Sequence, residues 1–165
     1  MSVSNVVEFT VNDFSKKNPQ KLSNTYKNKI VFVKYYSPRC IHCINSQPDY
    51  EKLATQYSSD SNYVIAQFNA SANPDFMQTI NTNNNLMFGY SVDGYPTFII
   101  FVNTLYFQTY NGSRTVDQFN NTLANISDKL NMPILPTLPT PPTPPVMPTP
   151  VSTTRLPDAG TIPTL

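Results

Sequence analysis

The seven-residue apolar run Ile30–Tyr36 ends at Ser37-Pro38, and two residues later come the chain's only two cysteines, as Cys40-Ile41-His42-Cys43. A run this short and continuous, closed by a proline, reads as a central strand buried on both faces. If a helix opens near Cys40, the first sulfur sits at a helix N-terminus. There, unpaired N–H groups and the positive end of the helix dipole favour the thiolate. Cys43 then lies one turn on, on the same helix face, within reach of the first sulfur. Arg39 and His42 add positive or protonatable groups that act in the same direction.

Other uses of two cysteines make other demands. A zinc site takes about four ligands, and Cys40, Cys43 and the chain's single histidine, His42, supply at most three, so no metal is expected. A structural disulfide here would close a very short loop and remove little chain entropy. A pair of inert thiols would have to be buried, whereas a Pro-flanked turn at a strand end is usually exposed. A redox-active dithiol fits the pattern, and it needs no dissociable cofactor because the electrons reside on the sulfurs.

The flanking sequence alternates strand and helix signals. Val6–Phe9 is a short strand candidate and Tyr63–Asn69 a longer one. Ile41, Ile44, Leu53, Ala54 and Tyr57 mark a helix that should kink at Pro48. Residues 73–81 read as a short helix opening at Asn73-Pro74, with proline in the first helical position. Gly94-Tyr95-Pro96-Thr97 leads into a strand over Phe98–Val102. In the last helix, Val116, Phe119, Leu123, Ile126 and Leu130 follow a Thr115-x-x-Gln118 capping box. About 130 residues can bury one ordinary core, so residues 1–131 read as one domain without repeats.

Four segments together resemble the catalytic domain of protein disulfide isomerases, within the thioredoxin family. They are Val31-Phe-Val-Lys-Tyr-Tyr-Ser-Pro-Arg-Cys-Ile-His-Cys43, Pro48-Asp-Tyr-Glu-Lys-Leu-Ala54, Gly94-Tyr-Pro-Thr97 and Tyr110-Asn-Gly-Ser-Arg114. The resemblance implies an α/β thioredoxin fold, a mixed five-stranded sheet with helices on both faces. It implies a thiol–disulfide oxidoreductase acting on protein disulfides, with Cys40 as nucleophile and Cys43 as resolving thiol. Pro96 matches a position that carries a cis peptide bond facing the dithiol, which would leave the backbone of Tyr95 to pair with an extended substrate. Arg114 matches an arginine that can swing toward the dithiol and favour the thiolate of the second cysteine. His42, between the two sulfurs, can stabilise the Cys40 thiolate while cationic.

The chain departs from the family pattern at three positions. Lys34 stands where a buried acid usually moves the proton of the second cysteine. Either Lys34 is deprotonated and accepts a proton, or its ammonium escapes to solvent and contributes nothing. Arg39 replaces a tryptophan and Ile41 a glycine, which makes the substrate-facing rim more charged and bulkier. These departures leave a second reading open, a thioredoxin-like binding module that uses the fold as a platform with little redox activity.

From residue 132 the composition changes: eleven of the sixteen prolines lie in 133–165, mixed with threonine and nearly free of charge. Such a segment packs no core and is expected to be a disordered tail. Pro133, Pro136, Pro139, Pro142, Pro145 and Pro148 recur every three residues, the repeat of a polyproline II helix, which suits a tether or a ligand for a polyproline-binding partner. A net charge of +1 gives no footprint for nucleic acid, and no stretch is apolar enough to span a membrane. The remaining expected partners are protein substrates bearing disulfides or thiols and a recycling redox partner. The N-terminal residues lack the pattern of a signal peptide, so a cytoplasmic location is expected, with the Asn-x-Ser/Thr sites at Asn69, Asn111, Asn120 and Asn125 unmodified. Such an enzyme is unusual in that compartment. Large DNA viruses that assemble in the cytoplasm are one setting for it, and there it would be packaged in the virion.

Overall fold

The computed structural model describes residues 4–82 and 89–130, so the expected Pro-rich tail lies outside the described residues. The chain runs β1 (Val7–Phe9), β2 (Ile30–Tyr36), α1 (Ile41–Tyr57), β3 (Tyr63–Asn69), α2 (Pro74–Thr82), β4 (Thr97–Val102), β5 (Leu105–Tyr110) and α3 (Val116–Lys129). The sheet order is β1-β3-β2-β4-β5. β1, β3 and β2 are parallel, while β4 runs antiparallel to both β2 and β5. Among the described residues, no helix is long and apolar enough to cross a membrane.

Side chains of a strand point alternately to its two faces. Along β2 this sends Val31, Val33 and Tyr35 into one core with Phe68, Met77, Ile80 and Phe101. Ile30 and Phe32 enter the opposite core with Tyr50, Leu53, Phe98, Phe119 and Leu123. Helix α2 therefore covers one face of the sheet, and α1 with α3 the other, as the resemblance implied. Phe32 anchors the second core through rings of Tyr50, Phe98, Tyr110 and Phe119, with centroids 5.5–5.8 Å away. Lys34 shares the face of Ile30 and Phe32, an unusual place for a cation.

The strands read at Ile30–Tyr36 and Tyr63–Asn69 form with those bounds, and α2 opens at Pro74. Helix α1 continues through Pro48, which has no N–H to give to the carbonyl of Ile44. At α3, Thr115 accepts a bond from the Gln118 N–H at 3.5 Å, one half of the expected box. A complete capping box forms instead at Thr10 and Asp13, ahead of a 3₁₀ turn over Val11–Asp13.

Strand β5 carried no clear pattern, because its hairpin turn is disguised. Asn103 and Thr104 both have positive φ, 49° and 71°, the signature of a type I′ turn that usually reads Asn-Gly. A β-branched residue at positive φ is strained, and surrounding bonds hold it there. Leu22 N–H donates to Thr104 O at 2.9 Å, Asn103 N–H to Lys29 O at 3.0 Å, and Asn28 N–H to Asn103 Oδ1 at 3.0 Å.

Two side-chain amides tie the end of α2 to the segment before β4. Buried Gln20 donates through Nε2 to Ile80 O at 2.6 Å and Tyr90 O at 2.9 Å, and accepts from Tyr90 N–H at 2.8 Å. Asn81 exchanges a similar pair with the backbone of Val92, at 3.1 Å and 2.9 Å. The chain thus arrives at Tyr95-Pro96 on a defined course, close to the start of α1.

Candidate active site

Cys40 is the N-cap of α1, with φ −83° and ψ 116°, and its sulfur accepts a bond from the Cys43 N–H at 3.3 Å. A sulfur in the capping position takes over one of the helix's unpaired N–H groups. Burial works against ionisation of this thiol. Bonds from the Cys43 thiol, the Cys43 N–H and the His42 N–H, together with the charge of Arg114, overcome it and hold the Cys40 pKa below the ordinary thiol value. Both cysteines are free thiols.

Cys43, one turn further on, is buried. Burial, and after it the neighbouring Cys40, push its thiol up to about 11. The two sulfurs therefore differ in the way an attacking and a resolving thiol must: one is partly exposed and acidic, the other enclosed and reluctant to ionise.

Lys34 lies beneath them. The side chain has no exposed surface, which excludes the expected alternative in which its ammonium escapes to solvent. Its Nζ donates to Cys43 O at 2.9 Å and to Gln47 Oε1 at 2.7 Å. Burial lowers its pKa from 10.5 to about 8. Gln47 in turn donates to Glu51 Oε1 at 3.1 Å. Gln47 and Glu51 escaped the sequence reading. Gln47 at i+4 from Cys43 and Glu51 at i+4 from Gln47 were the available signal, and it becomes informative only once Lys34 is known to point under α1.

The peptide bond Tyr95-Pro96 is cis, as the resemblance implied, and Pro96 is buried. The Cys40 thiol donates to the Tyr95 carbonyl at 3.3 Å. Arg114, exposed in the turn before α3, reaches the dithiol by its field, which lowers the pKa of both Cys40 and Lys34. The His42 side chain is exposed, and what acts on Cys40 from this residue is its backbone N–H. Ile41 and Ile44 are 60% and 53% exposed, forming an apolar step beside Cys40 on the first turn of α1. A cleft of about 650 Å³ opens next to this site, lined by Asp93, Gly94, Pro96, Thr97, Asn111 and Arg114 among others. Among the described residues, no cluster of three or more metal-ligating side chains occurs.

A family model described as Thioredoxin matches residues 6–125. Over 107 residues the chain is 39% identical to protein disulfide-isomerase 1 of Dictyostelium discoideum, covering 65% of this chain and 27% of that protein. Protein disulfide isomerase-like 2-2 of Oryza sativa subsp. japonica is 35% identical over 94 residues, covering 56% of this chain and 23% of that protein. The chain thus spans about a quarter of the length of these relatives. The crystal structure of the Trx4 domain of ERdj5 superposes with a TM-score of 0.57 at 15% identity, covering 77% of this chain and 99% of that one, a likeness of fold. The match of the family model over most of the described residues agrees with the strand order, the cis-proline and the helix-capping cysteine: the chain belongs to the thioredoxin family.

Proposed function

We propose that this chain is a thiol–disulfide oxidoreductase acting on protein substrates through the Cys40–Cys43 dithiol. The observation that carries the reading is the asymmetry of the pair, a capping, acidified Cys40 above a buried Cys43 held at about 11. In this reading the Cys40 thiolate attacks a substrate disulfide and forms a mixed disulfide, and Cys43 displaces the substrate by attacking Cys40. Run in reverse, the Cys40–Cys43 disulfide oxidises a substrate dithiol. Tyr95 and Pro96 dock the substrate backbone beside Cys40, and the exposed Ile41 and Ile44 meet its apolar side chains. Arg114 and His42 tune the thiolate. A separate redox partner recycles the dithiol, and the proline-rich segment serves a polyproline-binding partner.

Trapping tests the reading. Cys43→Ser should accumulate covalent complexes with disulfide-containing proteins on non-reducing electrophoresis, because the mixed disulfide on Cys40 can no longer be resolved. Cys40→Ser should accumulate few. If neither folded variant traps a substrate, the oxidoreductase reading fails and a thioredoxin-like binding module takes its place.

A further inference from the structure

Lys34 is a buried titratable group at the centre of the site, and the family pattern supplies no cation there. Its two acceptors, Cys43 O and Gln47 Oε1, match the two N–H groups of a neutral amine. An ammonium carries a third proton. Among the described residues the remaining partner for it is the ring of Tyr50, with its centroid 5.6 Å from Nζ. The pocket therefore pairs both N–H groups of the neutral amine, whose lone pair is then left to accept a proton. The charged groups that act on Lys34 are Cys43, Cys40 and Glu51 from α1, which favour the ammonium, and Arg114 from the turn before α3, which opposes it. Cys43 acts most strongly of these, and Lys34 reciprocally favours the Cys43 thiolate.

We propose that Lys34 is the proton acceptor of Cys43 in the resolving step, taking the place of an acid with a base of opposite charge type. The inference rests on the dithiol reading above. In the mixed disulfide, the Cys43 S–H bond breaks and an N–H bond forms on neutral Lys34, leaving the electron pair on sulfur. That thiolate attacks the Cys40 sulfur, the bond from Cys40 to the substrate sulfur breaks, and the substrate leaves as a thiolate. One neutral amine and one thiol become one ammonium and one substrate thiolate, so charge and atoms balance. In the oxidising direction Cys43 leaves as a thiolate and recovers its proton from the Lys34 ammonium. Gln47, braced by Glu51, is a positioning residue that orients Nζ.

The test uses the reduced full-length protein and a chromogenic aryl disulfide. Attack by Cys40 releases a first aryl thiolate, and resolution by Cys43 releases a second in a phase independent of reagent concentration. The rate of this second phase should rise with pH and level off near the Lys34 value of about 8, climbing again only as Cys43 itself ionises near 11. Lys34→Met should slow it roughly tenfold or more at pH 8–9 and abolish the break. Glu51→Gln removes a charge that favours the ammonium and leaves the core intact, so it should move the break to lower pH. A wild-type profile with no break near pH 8, a Lys34→Met variant that keeps both rate and break, or a Glu51→Gln break that stays in place would each overturn the inference. Absence of any second phase at all would instead overturn the dithiol reading, which separates the two failures.

Discussion

The Cys40 thiol donates to the carbonyl oxygen of Tyr95 across 3.3 Å, joining the first residue of the dithiol to a peptide 55 positions later. The antiparallel pairing of β2 and β4 makes the meeting possible. Tyr35 lies opposite Thr97, so the C-terminal end of one strand and the N-terminal end of the other share one end of the sheet. The α1 N-terminus and the cis-proline segment are both delivered to that end. The contact sets the Cys40 sulfur beside the Tyr95 backbone, where the proposed function docks a substrate.

The acidity of Cys40 depends partly on the exposed Arg114. Arg114→Gln should slow alkylation of Cys40 at neutral pH by roughly two- to fivefold, with the gap closing at high salt, where exposed charges are screened. Stabilising the reduced thiolate also makes the disulfide the stronger oxidant. The wild-type potential should then lie nearer roughly −180 than −270 mV, measured against glutathione buffers. A salt-independent effect of Arg114→Gln would point to packing instead of charge.

Lys34 should lower stability below pH 8. Burial holds its folded-state pKa at about 8 against 10.5, so between these values the unfolded chain binds a proton that the folded chain does not, and stability rises with pH across that window. Lys34→Met removes the dependence. Relative to wild type, the variant should be more favoured at pH 7 than at pH 10.5 by about 3 kcal/mol, whatever constant offset its lost hydrogen bonds introduce. Denaturant unfolding of both proteins at the two pH values under reducing conditions gives the difference of differences. An equal gap at both would mean that the amine is not perturbed by folding.

Gln20 holds both ends of the stretch between α2 and Tyr90 with three buried hydrogen bonds. Gln20→Ala leaves two carbonyls and one N–H without those partners and should cost about 3 kcal/mol. Amide exchange at Tyr90 should accelerate well beyond what the global loss of stability explains, because the clamp acts locally. Protection at Tyr90 that falls only in step with global stability would rule out that local role.

Much of this architecture was legible because its signals are local. The Ile30–Tyr36 run could only be a strand shielded on both faces, Asn73-Pro74 could open a helix, and the 3- and 4-residue steps from Val116 to Ile126 could only describe an amphipathic one. The C-x-x-C spacing after a strand likewise suffices to place one sulfur at a helix start. Strand β5 stayed hidden because its type I′ turn uses Asn103-Thr104, and this turn is held by bonds with Leu22, Lys29 and Asn28, which lie far away in sequence.

The chemistry of the dithiol divides along the same line. Residue identity and spacing determined that Cys40 and Cys43 form a pair, and the resemblance to the family marked Lys34 as standing where a buried acid is usual. Whether Lys34 reaches water or the underside of Cys43 is decided by the face to which β2 turns it and by the closeness of α1 above, and neither is encoded within a few residues of position 34. Tertiary packing seals that face, so desolvation moves the amine toward neutrality, and the nearest acceptors, Cys43 O and Gln47 Oε1, come from a helix that the strand meets only in the folded protein.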